Sequence, residues 1–220
     1  MTDPIDMTLD ELRDALAPLL PASAVFDGWT DIALANAAAD LGVPADRAAL
    51  CFPGGAIDMI DAWFAALDRA MLAAFPPECI AAMKIRDRIR SLIWWRIEQA
   101  SAHADALRRA VAILARPKHA AHAAKLGWRA ADSIWRATGD ASTDFSYYSK
   151  RTTLTAIYAA TMMAWMDDES EDFADTRAFL DRRIEGVMRF EKLKAQLKPD
   201  PDRHFSPARF LGRLRYPVTR

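Results

Sequence analysis

The four histidines are the first residues to test for metal or acid–base chemistry. His119 and His122 lie three residues apart, so a helix would place them on one face. A zinc or di-iron site needs further ligands at matching spacing, and no acidic residue stands three positions before any histidine, including His103 and His204. We predict solvated histidines in the first turn of a helix and no metal site, with a lone metal pair as the alternative.

The usual sequence patterns of nucleophilic and nucleotide-dependent enzymes do not fit this chain. Cys51 and Cys79 have neither redox nor metal-ligand spacing, and we interpret them as reduced residues in a cytosol. The glycines of residues 53–55 are not followed by the Lys-Ser/Thr pair that a phosphate-binding loop requires. We therefore predict a non-catalytic protein that uses no cofactor.

A polar turn, defined as residues 139–151, concentrates hydrogen-bonding and charged groups between two apolar segments. Its four charged residues are Asp140, Asp144, Lys150 and Arg151. They have no histidine partner and no evident cause of a shifted pKa, so general acid–base catalysis is not indicated. We interpret them as helix caps and ion pairs that lock two helices together, with a partner-docking surface as the alternative.

The apolar residues on either side of this turn could line a site for a hydrophobic ligand. The first segment places two tryptophans and an alanine on one helix face, and the second is apolar on every side, as expected in a core, an interface or a lipid-facing site. The candidate lipid-binding residues are Trp128, Ala131, Trp135, Tyr147, Tyr148, Tyr158, Met162 and Trp165. An ordinary packed core would use the same residue types, and it remains the alternative.

The elements that must position these residues are all predicted to be helices. Hydrophobic residues make up 52% of the 220 residues and charged residues 27%, which is typical of a globular protein. Capping residues, prolines and helical periodicity predict nine helices, with no strand: residues 8–20, 31–40, 45–52, 56–74, 78–100, 102–115, 118–137, 145–166 and 172–197. The longest apolar run, 154–166, is shorter than the roughly 20 residues that cross a bilayer.

The charge distribution is strongly asymmetric along the chain. Residues 1–75 contain three basic and twelve acidic residues, whereas the remainder contains 26 basic and 18 acidic ones. Within the acidic part, residues 32–52 resemble the helix-turn-helix of TetR-type regulators at Gly42, Val43 and Phe52. The serine, tyrosine and lysine of that pattern are replaced by Pro44, Ala49 and Gly55.

DNA binding requires basic side chains that neutralise phosphates, and the acidic N-terminal segment opposes it. We therefore predict that the helix-turn-helix serves as a scaffold and that the protein does not bind nucleic acid. A TetR-type regulator with a hydrophobic effector is the alternative function.

The C-terminal residues 198–220 form a separate basic tail. Ser206 suits an N-cap and is followed by Pro207, and five arginines with no acidic residue occur from Arg203 onwards. A short basic amphipathic element suits an anionic membrane surface. The candidate membrane-contacting residues are Phe205, Arg209, Phe210, Leu211, Arg213 and Leu214. A disordered tail, or one docked on the acidic N-terminal region, is the alternative.

The segment around the polar turn resembles the lipid-binding accessory family of ubiquinone (coenzyme Q) biosynthesis. The resemblance is carried by residues 126–132, 134–136, 139–151, 179–184 and 187–188. It implies an all-α, TetR-like fold and a non-catalytic protein that binds an isoprenoid lipid or quinone precursor and supports the demethoxyubiquinone hydroxylase.

From this resemblance and the helix pattern we predict three regions and a location. Residues 1–55 would form the helix-turn-helix unit, 56–197 a helical lipid-binding and dimerisation domain, and 198–220 the basic tail. We expect a location in a bacterial cytoplasm, because the first seven residues carry no targeting pattern. The TetR-like fold implies a homodimer, and the basic tail would place it at the periphery of the inner membrane.

Overall fold

A computed structural model of the protein describes residues 3–143 and 145–197. In that part of the chain the regular secondary structure is all helical, and turns connect the helices. Its eleven α-helices in the described residues are α1 Leu9–Leu16, α2 Leu20–Asp27, α3 Asp31–Leu41, α4 Ala45–Leu50, α5 Ala56–Ala74, α6 Pro77–Ile80, α7 Ile85–Ser101, α8 Ala104–Leu114, α9 Ala120–Ala137, α10 Phe145–Met166 and α11 Ala174–Leu197. Short 3₁₀ turns, Pro117–His119 and Glu171–Phe173, precede α9 and α11. The predicted all-α class is confirmed.

The predicted first helix, 8–20, begins where expected but ends earlier, at Leu16, and a second helix that was not predicted begins at Leu20. Thr8 and Glu11 form a capping box at the start of α1: the Glu11 N–H donates to the Thr8 hydroxyl at 3.3 Å, and the Thr8 N–H donates to the Glu11 carboxylate at 2.8 Å. Pro21 does not end a helix but lies in the first turn of α2, where the missing N–H of a proline leaves no helical bond unmade. No side-chain cap marks the start of α2, so its beginning has little local signal.

The predicted helix 78–100 is also divided, into α6 and α7. Residues 81–84 are good helix formers, yet they make a turn. The Arg88 guanidinium donates to the carbonyls of Ala81 at 2.6 Å, Met83 at 2.9 Å and Thr138 at 2.9 Å. Arg88 thus satisfies two carbonyls of the turn and ties it to Thr138, and these hydrogen bonds outweigh the helix propensity of residues 81–84.

Helix α5 packs against helices on several sides, and its bounds match the predicted 56–74. It packs against α1, α2, α7, α8 and α9. The Trp63 ring on α5 lies between those of Trp29, at 5.3 Å, and Phe64, at 5.1 Å. The Trp29 indole donates to the Ala106 carbonyl at 2.9 Å, which ties the start of α3 to α8.

The contacts divide the chain into residues 1–181, a compact unit containing α1–α10 and the start of α11, and a second unit beginning at Arg182. Of the second unit the structure describes the rest of α11. The predicted boundaries after residues 55 and 197 stay predictions.

Helices α9 and α10 make a close crossing that forms one side of the candidate site. The Thr155 hydroxyl lies 3.2 Å from the Gly127 carbonyl oxygen. A methyl group added at Gly127 would lie 2.7 Å from the Thr155 methyl carbon. The glycine therefore allows the two helices to approach where a larger residue would clash.

Candidate functional site

An apolar cavity of about 240 Å³ lies among α5, α7, α8, α9 and α10. Its lining residues are Phe64, Arg96, Val111, Leu114, Ala115, Ala123, Leu126, Gly127, Ala130, Tyr158, Ala159, Met162 and Met163. Among them, Ala115, Ala159 and Met163 are exposed, whereas Phe64 and Ala130 are buried. The cavity therefore has a closed end in the core and a mouth at the surface, and it is suited to an apolar ligand.

The closed end contains the buried guanidinium of Arg96, which is 1% exposed. Its Nη1 donates to the Asp68 carboxylate, its Nε donates to the Tyr158 hydroxyl at 3.4 Å, and it lies 5.3 Å from the centre of the Tyr158 ring. Burial opposes the charge, but the neighbouring Tyr158 and Asp68 outweigh it and raise the pKa of Arg96. The guanidinium is therefore charged at neutral pH.

This ion pair continues as a chain of alternating charges towards the N-terminal helices. Arg129 bridges Asp68 at 3.0 Å and Asp61 at 2.8 Å, and Arg13 lies 3.5 Å from Asp61. The Arg13 guanidinium also donates to the carbonyls of Cys51 at 2.7 Å and Asp58 at 3.0 Å. The chain of charges joins the cavity wall to the helix-turn-helix region.

Sequence reasoning missed Arg96 and Asp68 as site residues. The available signal was their position within apolar stripes: Asp68 falls between Leu67 and Met71 on α5, and Arg96 between Ile93 and Ile97 on α7. A charged residue on a buried helix face requires a partner, which is a reason to look for one in a neighbouring helix.

Of the eight predicted lipid-binding residues, Tyr158 and Met162 line the cavity. Trp128, Tyr147 and Tyr148 instead form an aromatic cluster, with ring centroids 5.1–6.2 Å apart. Tyr148 is 60% exposed, so this cluster reaches the surface. The cluster and the cavity are thus separate features of α9 and α10.

The remaining three predicted lipid-binding residues lie in packed surroundings outside the cavity lining. Ala131 is fully buried. The Trp135 indole donates to the Lys150 carbonyl at 3.1 Å, and the Lys150 ammonium lies 5.2 Å from the Trp135 ring centre. Trp165 is buried with its ring 5.8 Å from that of Phe173, and its indole N–H has no partner among the described residues.

The polar turn joins α9 to α10 through Arg151, which is 2% exposed. Its guanidinium donates to Asp132 at 2.6 Å and Asp140 at 3.3 Å, and it lies 3.4 Å from the centre of the Tyr147 ring. Such contacts match the first of the two predicted roles, an ion-paired lock between helices. Because it is buried, Arg151 does not present its charge to a partner.

The other residues predicted for partner docking differ in their accessibility. Asp140 accepts a hydrogen bond from Lys150 at 2.6 Å and another from Ser142 at 2.7 Å. Burial alone would raise the pKa of Asp140, but these hydrogen bonds outweigh it and lower the pKa. Lys150 is partly exposed, and Asp144 lies outside the described residues. Docking through this turn stays a prediction.

The helix-turn-helix segment forms as predicted, with Thr30 capping α3 and Gly42 in the left-handed region at φ 75°. The basic residue of α4 is Arg47, and its guanidinium donates to the carbonyls of Ile5 and Met7. Its charge is therefore held against the chain's own N-terminal segment.

The described residues contain no group of three histidine, cysteine or acidic side chains placed to hold a metal ion. The rings of His119 and His122 are 6.2 Å apart. In the part of the chain described, none of the helices has the length and apolarity needed to cross a membrane. The residues predicted to contact a membrane, 205–214, lie outside the described residues.

Comparison with solved structures identifies the class of fold. The chain is similar to the TetR transcriptional regulator from Nitrosomonas europaea, with a TM-score of 0.64 and 26% sequence identity. The match covers 81% of this chain and 99% of that one. The predicted TetR-like fold is confirmed.

Comparison of sequences then relates the segment that contains the polar turn to a family. The COQ9 family model matches residues 120–191, which we call the COQ9 segment. The chain is 39% identical over 90 residues to the mitochondrial ubiquinone biosynthesis protein COQ9 of Rattus norvegicus and 38% identical over 90 residues to that of Homo sapiens. The predicted resemblance to a ubiquinone-biosynthesis family is confirmed.

These two matches cover 41% of this chain but only 29% of the rat protein and 28% of the human protein. A longer match, to the mitochondrial ubiquinone biosynthesis protein coq9 of Schizosaccharomyces pombe, is 28% identical over 167 residues. It covers 76% of this chain and 66% of that protein.

Proposed function

We propose that this protein is a non-catalytic accessory protein of ubiquinone biosynthesis. It binds an isoprenoid quinone precursor in the apolar cavity and delivers it to the demethoxyubiquinone hydroxylase. The observation that carries the proposal is the overlap between cavity and family: eight of the thirteen lining residues fall within the COQ9 segment, residues 120–191. The hydroxylase is proposed as the partner because the family that the chain resembles supports that enzyme.

The need for such a carrier follows from the cost of exposing an isoprenoid tail to water, at about 0.8 kcal/mol per CH₂. The cavity of about 240 Å³ is smaller than the roughly 300–1,000 Å³ of sites that enclose a drug-sized ligand. It therefore encloses one end of a long-chain precursor while the rest stays in contact with a membrane. The basic tail, residues 198–220, would hold the protein at that surface.

We also propose a homodimer, as the resemblance implies. Met188 and Phe190 on α11 are exposed apolar side chains that a dimer interface would cover. Analytical ultracentrifugation of the full chain, compared with a Phe190→Glu variant, would test this assignment. An unchanged dimer in the variant would remove α11 from the interface.

The lipid proposal is tested by plugging the mouth of the cavity. Ala159 and Ala156 are both exposed alanines one turn apart on α10, and only Ala159 lines the cavity. We expect Ala159→Trp to remove co-purified lipid and Ala156→Trp to retain it. The measurement is mass spectrometry of an organic extract of protein purified from a quinone-producing host.

Co-purified isoprenoid quinone or precursor in the wild-type protein and in Ala156→Trp, but not in Ala159→Trp, would support the carrier function. Wild-type protein free of apolar ligand would contradict it, as would equal amounts in both variants. Circular dichroism of each variant would establish that the helices are intact.

The second candidate is a TetR-type regulator, which the similarity to a solved transcriptional regulator favours. Each of the three basic residues in positions 1–75 has an internal partner: Arg13 pairs with Asp61, Arg47 donates to backbone carbonyls, and Arg69 lies 3.0 Å from Asp14. These pairings support a scaffold without affinity for DNA phosphates. A salt-sensitive, sequence-specific mobility shift with genomic fragments would favour the regulator instead.

A further inference from the structure

A cluster of basic side chains lies where α8 connects to α9, beside the cavity. Residues 106–131 contain no acidic residue, and the three basic residues and two histidines of this connection, which we call the mouth cluster, are Arg116, Lys118, His119, His122 and Lys125. The rings of His119 and His122 are 6.2 Å apart. Partial burial and nearby positive charges, including Lys118 and Arg116, lower the pKa of His119. The permanent charges of the cluster are therefore those of Arg116, Lys118 and Lys125.

The three cations of the mouth cluster have no acidic partner in the described part of the chain. Arg129, further along α9, bridges two aspartates of α5. Arg116, Lys118 and Lys125 are instead exposed, and none of them forms an ion pair with another described residue. Like charges held close together repel each other, so an external anionic surface that meets all three at once relieves that repulsion.

The mouth cluster borders the apolar mouth of the cavity. Three residues that line the cavity are chain neighbours of cluster members: Ala115 next to Arg116, Ala123 next to His122, and Leu126 next to Lys125. The lining residues Ala159 and Met163 of α10 are apolar and exposed. Positive charge and exposed apolar surface therefore lie side by side. An anionic lipid layer offers the complementary groups, with phosphates at its surface and hydrocarbon beneath them.

We propose that the mouth cluster docks on an anionic phospholipid surface and places the mouth of the cavity against that surface. Lipid phosphates contact Arg116, Lys118 and Lys125, and an apolar ligand passes between the lipid and the cavity without crossing water. The inference rests on the proposed function and adds to it the face of the protein that meets the membrane. The exposed apolar residues beside the cations favour a lipid surface over a nucleic acid or an acidic protein.

The first test measures binding of the full chain to phosphatidylcholine vesicles with and without phosphatidylglycerol. The variant Lys118→Gln/Lys125→Gln removes two charges from the mouth cluster. The matched control Lys84→Gln/Arg86→Gln removes two exposed charges at the start of α7. We expect the wild-type protein and the control to bind anionic vesicles equally well. The variant should bind about thirtyfold more weakly, because each basic side chain at such a surface contributes about fivefold.

The control substitutions lie far from the mouth cluster. The Arg88 guanidinium donates to the carbonyls of Ala81, before α7, and of Thr138, at the end of α9. The 18 residues of α9 separate that end from the mouth cluster by about 27 Å. Cys79 lies close to Ala81 in sequence and is exposed, whereas Cys51 is buried. Cys79 therefore offers a control position for a label.

The second test attaches an environment-sensitive fluorophore at each end of α9. One protein carries the label on Cys79, and the other carries it on Ala121→Cys in a Cys79→Ser background. Ala121 is suitable because it is exposed and lies within the span of the mouth cluster. Anionic vesicles should shift the emission of the label at position 121 to shorter wavelengths and leave that of the label on Cys79 unchanged.

Equal binding of anionic vesicles by the mouth-cluster variant and the control would overturn the proposal. A shift of both labels, or of neither, would also overturn it, as would a wild-type protein without preference for anionic vesicles. These results would leave the carrier function standing, because the lipid extracted from Ala159→Trp and Ala156→Trp reports on the cavity alone. If the mouth-cluster variant did not fold, the two labels would still decide.

Discussion

Arg96 on α7 and Arg151 on α10 are both almost completely buried and both pair with aspartates, yet they lie in different surroundings. The contacts of Arg151 connect elements of the protein: it reaches Asp132 on α9, Asp140 in the polar turn and the Tyr147 ring. Arg96 pairs with Asp68 on α5 and Tyr158 on α10, and it also borders the cavity. Burial of a charge therefore does not by itself mark a ligand site, and of these two arginines Arg96 is the one that borders a cavity.

Replacement of Arg151 is expected to give the largest effect, a decrease in the stability of the fold. Arg151→Met removes the cation that Asp132 and Asp140 share, leaving each with one other cationic partner, Arg136 for Asp132 and Lys150 for Asp140. We expect a loss of about 3 kcal/mol in the free energy of unfolding, which is roughly 6–12 °C in Tm for a chain of this length. Thermal unfolding followed by circular dichroism measures it.

Arg136→Met is the matched control for this substitution. Arg136 also pairs with Asp132, at 2.8 Å, but its side chain is 70% exposed. An exposed pair contributes less than about 1 kcal/mol, so the control should unfold close to the wild-type temperature. Equal losses for the two variants would show that Arg151 contributes no more than a surface charge and would remove the contrast with Arg96.

A smaller effect is expected where α9 and α10 cross beside the cavity. Gly127→Ala would place a methyl group 2.7 Å from the Thr155 methyl carbon, and Thr155 is stiff because it is β-branched. The steric cost of about 1–3 kcal/mol exceeds the gain of about 1 kcal/mol in helix propensity. We expect a net loss of about 1 kcal/mol in urea-induced unfolding.

Gly186→Ala on α11 provides the opposite case. A methyl group there would meet nothing within 4 Å, so the gain in helix propensity should appear alone. The two glycine substitutions are thus expected to change stability with opposite signs. If both substitutions destabilised the protein, the loss at Gly127 could not be assigned to the close approach of α9 and α10.

Sequence patterns predicted the helices where local signals were strong and failed where tertiary contacts decided. The bounds of α5 and α10 agree with the predicted 56–74 and 145–166, because helical periodicity and flanking Pro and Gly residues mark α5 and the polar turn precedes α10. The break between α6 and α7 was missed because it depends on Arg88, whose hydrogen bonds reach Thr138 from another part of the chain. No local pattern can show such a bond.

The same limit applies to the candidate site. Composition indicated the apolar helices, and Tyr158 and Met162 do line the cavity, but aromatic content alone could not separate cavity residues from the packed Trp135 and Trp165. Arg96 was not recognised, because its role depends on Asp68, which is 28 residues away in sequence. Sequence thus predicted two of the helices that line the cavity, α9 and α10, but not the contributions of α5, α7 and α8 or which side chains face it.

The smallest expected effect is a pH dependence of the free energy of unfolding, which arises at Asp140, one of the two carboxylates that pair with Arg151. Hydrogen bonds from Lys150 and Ser142 outweigh burial and hold the pKa of Asp140 below its usual value. A carboxylate whose pKa is lowered on folding stabilises the protein above its unfolded pKa, about 3.9, and this stabilisation is lost as the pH falls towards the folded pKa. Wild-type stability should therefore decrease below about pH 4 more steeply than that of Asp140→Asn.

Urea unfolding of both proteins at about pH 7, 5, 4 and 3 would measure this difference. The gap between them should be constant down to about pH 5 and narrow below about pH 4. Ser142→Ala removes one of the hydrogen bonds that hold the Asp140 carboxylate, so the narrowing should be smaller and should be complete at a higher pH. Parallel curves for the wild type and Asp140→Asn across the whole series would mean that the Asp140 carboxylate is not stabilised by the turn. The lock around Arg151 would then depend on Asp132 alone, and the two buried arginines would each rely on one principal carboxylate.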